Sequence, residues 1–580
     1  MNRVLEVDTR GGQTRWRASS EQEQRWGGRS YIAHHFLQEV DPLCDPLGRN
    51  NRLILASGLL GDTPVTTAGR MSIGGKSPLT GGIKESNVGG FVGKKMARLG
   101  LKAVILEEAP DNPQPRILLI RKDGAELIDA PELKGRHSSD TIRFLHERFG
   151  DRTGVLCVGP AGEMGLAGAC VATTDHAGVQ LRVAGRGGLG AVMGVKGVKA
   201  IVLDDAGAKA PGPSDRTALS GASRKLTKIL REDPKTDNRH NFGTPAVLSL
   251  CNALGILPTR NFSSGQFERA EEISGEMVAE LIEKRGGQTG GEARRGLPCV
   301  QGCVIACSNV FADSSGKTTV ASLQYENIGL LGSNCGIGDL DAVAELNHLC
   351  NQVGVDTIET GAALGVAMEA GIVPFGDAEG AKDLLRQIGK GTPLGRIIGS
   401  GVVITGRVFG VRRIPAIKGQ AIPAYDPRSL KGIGVTYAMS PMGADHTAGN
   451  ALETAKSHDP LSREGQVEIS FRLQIRGAIL DSLGVCLFIR PAFVKDPSLP
   501  ARLLNARYGW NWSYKDVREM ALECLRAERE FNCRAGVNDE QCDVPEFMRS
   551  EPLPPHNSVF DVPKGDMNTI WDVKLPEDVF

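Results

Sequence analysis

Arg182-Val183-Ala184-Gly185-Arg186-Gly187-Gly188-Leu189-Gly190-Ala191-Val192-Met193-Gly194 is the stretch on which the fold turns. A glycine-rich run beside a short β-branched segment reads as a turn whose backbone N–H groups approach a bound anion closely. A Rossmann dinucleotide site is the first alternative. It is disfavoured because the run is not set in a clear strand-turn-helix-strand unit with an acidic residue about 20 positions further on.

The rest of the chain carries the same accent. Of 580 residues 73 are glycine, concentrated between Gly58 and Gly100 and between Gly159 and Gly197, without a collagen-like period. The excess therefore serves tight turns and close approach of backbone to something bulky. At 580 residues, with 41% hydrophobic content, several domains are expected. The 68 basic residues cancel the 68 acidic ones, which removes the electrostatic footprint of a nucleic-acid or membrane-surface protein and favours small molecules and protein partners. There is no run of about eighteen apolar residues and no signal-peptide pattern, so a cytoplasmic location is expected.

Up to about residue 210, short β-branched runs (53–55, 103–106, 116–120, 154–158) alternate with glycine turns, and the start around Val4, Leu5 and Val7 reads as a strand after Met1. Ala210-Pro211-Gly212-Pro213 reads as a linker. Helical periodicity follows at 219–231, 274–284, 339–370 with a break at Gly354, and about 464–535, and a proline-rich tail from Asp543 is expected to wrap the surface. No internal sequence repeat is visible. The fold class is α+β: a β-rich domain over 1–210, then two mainly α-helical domains over 211–420 and 421–580.

Cys299-Val300-Gln301-Gly302-Cys303-Val304-Ile305-Ala306-Cys307 places three of the 13 cysteines within nine residues. Three thiolates converging on one point suit an iron–sulfur cluster. A zinc site is the chemical competitor, although it usually pairs CxxC units across loops, and buried free thiols are the bland reading. A cubane needs a fourth ligand, for which Cys335, Cys350, Cys486 and Cys524 all compete.

With these residues in view, the chain resembles the aldehyde:ferredoxin oxidoreductase family over nearly its whole length. One matching block is Ala68-Gly69-Arg70 with Lys76-Ser77-Pro78-Leu79-Thr80-Gly81-Gly82 and Asn87-Val88-Gly89-Gly90; the other is the run from Arg182 to Gly194. The family's two pterin motifs, Asp-x-x-Gly-Leu-Asp/Cys, are similar to Asn351-Gln352-Val353-Gly354-Val355-Asp356 and Asp481-Ser482-Leu483-Gly484-Val485-Cys486. Asn351 replaces an acid and Val355 and Val485 replace Leu; the cysteine spacing, CxxxCxxxC, is one residue longer than the family's usual CxxCxxxC.

The resemblance implies an N-terminal domain wrapping a tungsten or molybdenum bis-pterin, with magnesium bridging the pterin phosphates. Arg70, Asn87, Gly89, Gly90, Arg182, Ala184, Gly185, Asn351, Asp356, Asp481 and Val485 would contact this cofactor. It makes Cys486 the fourth ligand of a 4Fe-4S cluster with Cys299, Cys303 and Cys307. Glu326 and His446 fall at the positions of the carboxylate and imidazole beside the metal, as base and proton donor; without the resemblance, each reads as a surface Glu and a core His. Glu345 and His348 form an ExxH pair on one helix face, which in some members holds a metal between subunits and otherwise is an ordinary polar face.

The implied activity is oxidation of an aldehyde to a carboxylic acid, with electrons passed to ferredoxin or a small iron–sulfur subunit, in a homodimer or hetero-oligomer. A benzoyl-CoA-reductase-like subunit reducing an aromatic CoA thioester is the alternative within the family. An electron-transfer protein that keeps only the cluster, and a dinucleotide-dependent dehydrogenase, are the alternatives outside it.

Overall fold

The structure is a computed structural model and describes residues 2–580, except 176–180 and 288–289 and the side chain of Asp539. Met1 lies outside the described residues. The first 204 residues build two six-stranded sheets. The first contains β1 (Arg3–Asp8), β2 (Gln13–Ala18), β3 (Leu53–Ser57), β4 (Met71–Lys76), β5 (Ile83–Val88) and β6 (Leu101–Glu107) in the order β2-β1-β6-β3-β4-β5. The second contains β7 (Arg116–Arg121), β8 (Gly124–Asp129), β9 (Gly154–Cys157), β10 (Val171–Thr174), β11 (Leu181–Ala184) and β12 (Val198–Asp204) in the order β8-β7-β12-β9-β10-β11.

The two orders are the same topology used twice. In each, the first strand pairs antiparallel with the second and parallel with the sixth, and the sixth lies antiparallel to the third. Even the register shift at the start of the parallel pair recurs, at Arg3/Val4 and at Val198/Ala200. The sequence carries no visible trace of this duplication, because a sheet constrains the alternation of apolar positions and not their identities.

The inner faces of both sheets share one core, with Leu5, Leu55 and Val104 from the first and Leu118, Leu156 and Ile201 from the second. The outer face of the first sheet takes the helix Gly28–Glu39 through Tyr31 and Phe36, and that of the second takes the helix Ser138–Phe149 through Ile142 and Leu145. The β-rich domain is thus layered helix, sheet, sheet, helix, as a sheet with two apolar faces requires.

The remainder is mainly helical. Asp339 accepts from Asp341 N and Ala342 N to start Leu340–Val353, which ends on Gly354 at φ +79°. Asp356 then caps Thr357–Glu369. Helices Arg216–Arg231, Gly275–Ile282, Gln466–Leu483 and Tyr514–Arg534 fill the other periodic stretches. The tail differs from expectation. Phe547, Met548, Phe560, Val562, Met567 and Ile570 are buried in the helical core, because prolines forbid long helices there without reducing the gain from burying the apolar residues between them. No single described helix is long and apolar enough to cross a membrane.

Candidate functional site

Each sheet holds one of the two Gly-centred motifs through the loop after its third strand. Past β3, a Cβ on Gly58 would stand 2.3 Å from the Gly484 Cα, and Leu59 N and Leu60 N donate to the Ser482 and Leu483 carbonyls, both at 3.0 Å. Past β9, a Cβ on Gly159 would stand 2.4 Å from the Val353 carbonyl oxygen, and Cys170 N donates to the Gly354 carbonyl at 2.9 Å. Only glycine permits these approaches. The two halves also meet each other: the Ser77 hydroxyl donates to the Gly187 carbonyl at 2.8 Å, joining the glycine turns of the first and second blocks.

Asp356, in the first motif, accepts from Ile358 N and Glu359 N and lies 3.3 Å from Arg186 Nε. A Cβ on Gly185, just after Ala184 at the end of β11, would come within 3.1 Å of its Oδ1. Asn351 is buried in the last turn of the preceding helix. In the second motif Val485 is buried, and Asp481 lies 3.5 Å from Arg29, whose Nε and Nη2 also grip the fully buried Glu528 at 2.8 and 2.9 Å. Burial pushes Asp481 up to about 6 against the pull of Arg29 and Arg70, and burial followed by the Asp481 charge pushes Glu85 up to about 8.

The three clustered cysteines occupy the loop between strands Arg294–Leu297 and Ser308–Ala312. The extra residue of the CxxxCxxxC spacing is absorbed at Gly302, whose φ is +83° with nothing near its Cβ position; its carbonyl accepts from the Thr66 hydroxyl at 3.0 Å. Cys486 N donates to Thr67 Oγ1 at 3.3 Å, next to Thr66, whose hydroxyl touches that loop. Burial and then mutual repulsion with the other thiols push Cys303 up to about 12, and push Cys307 and Cys486 up in the same way, Arg70 opposing at Cys486. Thiols set this close to one another suit a shared cationic partner, and an iron cluster is one. Among the described residues no three His, Cys, Asp or Glu side chains are placed to share a single metal ion.

Arg70 stands between cysteines and motif. Its Nε donates to Asn87 Oδ1 and its Nη2 to the Asn87 carbonyl at 3.3 Å, and the Cys486, Cys299 and Asp481 charges overcome burial to hold it above the usual guanidinium value. Gly89 and Gly90 face the cysteine loop: a Cβ on Gly89 would be 3.4 Å from Cys299 Sγ, and Gly90 N donates to the Cys299 carbonyl at 3.0 Å. Arg182 donates to Ser322 Oγ at 3.2 Å.

On the other side of the motifs, Glu326 begins the helix Tyr325–Leu331. Its Oε2 accepts from Ala424 N at 2.9 Å, its Oε1 lies 3.6 Å from His446 Nε2, and burial raises its carboxyl above the usual range although His446 opposes this. The Tyr425 ring flanks His446 at 5.9 Å, and the buried Lys84–Asp445 ion pair anchors the preceding residue. Glu326 Oε1, His446 Nδ1, Tyr437 Oη, Arg186 Nη1, Arg182 Nε and Gln420 Oε1 are all buried without a hydrogen-bond partner among the described residues. One such atom costs about 1–3 kcal/mol. Several in one region, next to glycine loops, fit a large polar cofactor that supplies the missing partners, as a pterin does.

Glu345 and His348 lie elsewhere, on the exposed face of the helix Leu340–Val353, where Glu345 pairs with Lys382 at 2.5 Å. Sequence reasoning missed Tyr437, Gln420, Lys84 and the Arg29–Glu528 pair. Their burial was the only signal, and charged or phenolic residues do not announce it. Arg186 could have been found, since it sits inside the glycine run.

The family model described as aldehyde ferredoxin oxidoreductase, N-terminal domain, matches residues 4–205, and that for domains 2 and 3 matches residues 221–570. A tungsten-containing aldehyde ferredoxin oxidoreductase of Pyrococcus abyssi is 33% identical, covering 95% of this chain and 92% of that one. A protein of the same description from Pyrococcus furiosus is 30% identical over 92% and 88%. The WOR-like subunit of an aliphatic sulfonate oxidoreductase from that organism is 26% identical over 87% and 81%. Among solved structures, the active-site complex BamBC of benzoyl-coenzyme A reductase with 1,5-dienoyl-CoA superposes with a TM-score of 0.80 over 98% of this chain and 93% of that one, at 18% identity, a likeness of fold.

Proposed function

The chain belongs to the aldehyde ferredoxin oxidoreductase family, and from that premise we propose that it oxidises an aldehyde to a carboxylic acid at a tungsten (or molybdenum) bis-pterin and sends the electrons to ferredoxin or an iron–sulfur partner subunit. The observation that carries this reading is the set of buried polar atoms left unpaired among the described residues at Glu326, His446 and Arg186, with Glu326 3.6 Å from His446 and Arg186 3.3 Å from Asp356 of the first motif.

The reaction is RCHO + H2O → RCOOH + 2H⁺ + 2e⁻. A bound tungsten–pterin supplies the two-electron acceptor. Asn351, Asp356 and Asp481, with Arg182, Ala184, Gly185 and Val485, would hold the pterins, and Arg70, fixed by Asn87, would join them to Cys299, Cys303, Cys307 and Cys486, the ligand set for a 4Fe-4S cluster, whose chemistry is one-electron relay. Glu326 takes the proton of the incoming water. Its raised carboxyl makes it a stronger base than an exposed glutamate, and His446, 3.6 Å away, carries the proton onward. Glu345, which would have to leave Lys382, and His348, both exposed, would be the residues to contribute to a metal held between subunits.

Relatives near one-third identity across the chain favour an aldehyde over an aromatic CoA thioester, for which the fold alone speaks. The test is metal analysis of anaerobically purified protein with an aldehyde and CoA-thioester panel. About four Fe and one W or Mo per chain, with aldehyde-dependent ferredoxin reduction, is the expected result. Iron without W or Mo, or turnover of CoA thioesters alone, would sink it.

A further inference from the structure

The helix Pro234–Phe242 ends on Gly243, whose N–H donates to the Arg239 carbonyl at 2.9 Å. A Cβ on Gly243 would stand 3.1 Å from the Cys307 carbonyl oxygen, so the helix abuts the last cysteine of the loop. From that final turn the Arg239 guanidinium lies 4.3 Å over the Phe488 ring, and Phe488 follows Cys486 by two residues. Arg239 is therefore held between Cys307 and Cys486, by backbone on one side and by a ring on the other.

Its Nη1 is buried with no hydrogen-bond partner among the described residues. Other cations near the thiols are engaged: Arg490, four residues after Cys486, pairs with Glu453 at 2.5 Å, and Arg70 pairs with Asn87. A methionine would cover Phe488 without burying an unpaired donor, so the donor must meet its partner in what the cysteines hold. Burial, and next the charge of Arg490, lower the Arg239 guanidinium below its usual value, while Cys486 and Cys307 pull it up. An arginine stays charged regardless. A 4Fe-4S core on four thiolates is a net anion that gains a further negative charge on reduction, and its potential responds to net charge and to hydrogen bonds on its sulfurs.

We propose that Arg239 donates its Nη1–H to a sulfur of the cluster held by Cys299, Cys303, Cys307 and Cys486, and thereby raises the reduction potential of that cluster. Phe488 fixes the plane of the guanidinium, and the raised potential makes the cluster the easier acceptor for electrons leaving the pterin metal. The proposal rests on the cluster reading above.

The test is a redox titration, followed by EPR, of anaerobically purified Arg239→Met. Iron per chain and melting temperature are expected to match wild type. At the wild-type midpoint the ratio of reduced to oxidised cluster should fall about tenfold, which is about 59 mV for one electron. Arg239→Lys keeps the charge but not the guanidinium fork and should fall about threefold; where the methionine variant loses iron, the lysine variant decides by the same ratio. A ratio within twofold of wild type in an iron-loaded variant overturns the proposal and leaves the aldehyde reading intact. Loss of iron from both variants overturns it too, by making Arg239 a support of the loop. A wild type that purifies without iron overturns the cluster reading itself.

Discussion

Replacing Arg29 by methionine tests whether the second motif is held by a buried charge network. Arg29 is 2% exposed in its side chain and Glu528 0%, and the guanidinium binds both Glu528 oxygens at 2.8 and 2.9 Å while lying 3.5 Å from Asp481. Without it, Glu528 keeps only the weak Cys524 thiol, 3.7 Å away. Breaking a buried pair by removing one partner costs about 3–5 kcal/mol, whereas replacing both partners by apolar groups is often neutral. If all 580 residues unfold together, an unfolding entropy near 2.1 cal/mol/K per residue makes 4 kcal/mol worth only about 3 °C in Tm. Hydrogen exchange in the helix Gly28–Glu39 is the sharper assay, since the same 4 kcal/mol accelerates exchange through local opening by about a thousandfold.

Arg29→Met/Glu528→Leu should recover most of the loss. Exchange within tenfold of wild type in the single variant, or a double variant no better than the single, would refute the reasoning.

Gly159→Ala places a Cβ 2.4 Å from the Val353 carbonyl, and Gly58→Ala places one 2.3 Å from Gly484; each should cost about 1–3 kcal/mol by overpacking. The first should lower tungsten per chain with iron spared, and the second, which crowds Gly484 two residues before Cys486, should lower both, read as W and Fe by elemental analysis. The raised carboxyl of Glu326, acting in its ionised form, predicts that kcat/KM rises with pH through a midpoint above the usual carboxylate range. Glu326→Gln should remove that rise and at least about a hundredfold of rate, as a pH–rate profile with aldehyde will read.

Much of this was legible beforehand because it is local. The β-branched runs at 53–55, 103–106 and 116–120 became strands, and the break at Gly354 became a helix C-cap, because capping depends on residues within one helical turn. The cysteine loop, the two Gly-centred motifs and the positions of Glu326 and His446 were likewise readable, since each is a short spacing that a family resemblance can index.

What only the tertiary structure decided joins residues far apart in the chain. Arg29 meets Glu528 across 499 positions and Lys84 meets Asp445 across 361; in sequence all four look like solvated surface charges, because a buried ion is recognisable only with its partner beside it. The doubled sheet was hidden because two sequences can meet the same alternation of apolar positions with different residues. Tyr437 was hidden because nothing in the sequence of a helix buried on every side marks a hydroxyl left unpaired among the described residues. Local chemistry follows from the order of residues along the chain, while burial and pairing across hundreds of positions follow from packing.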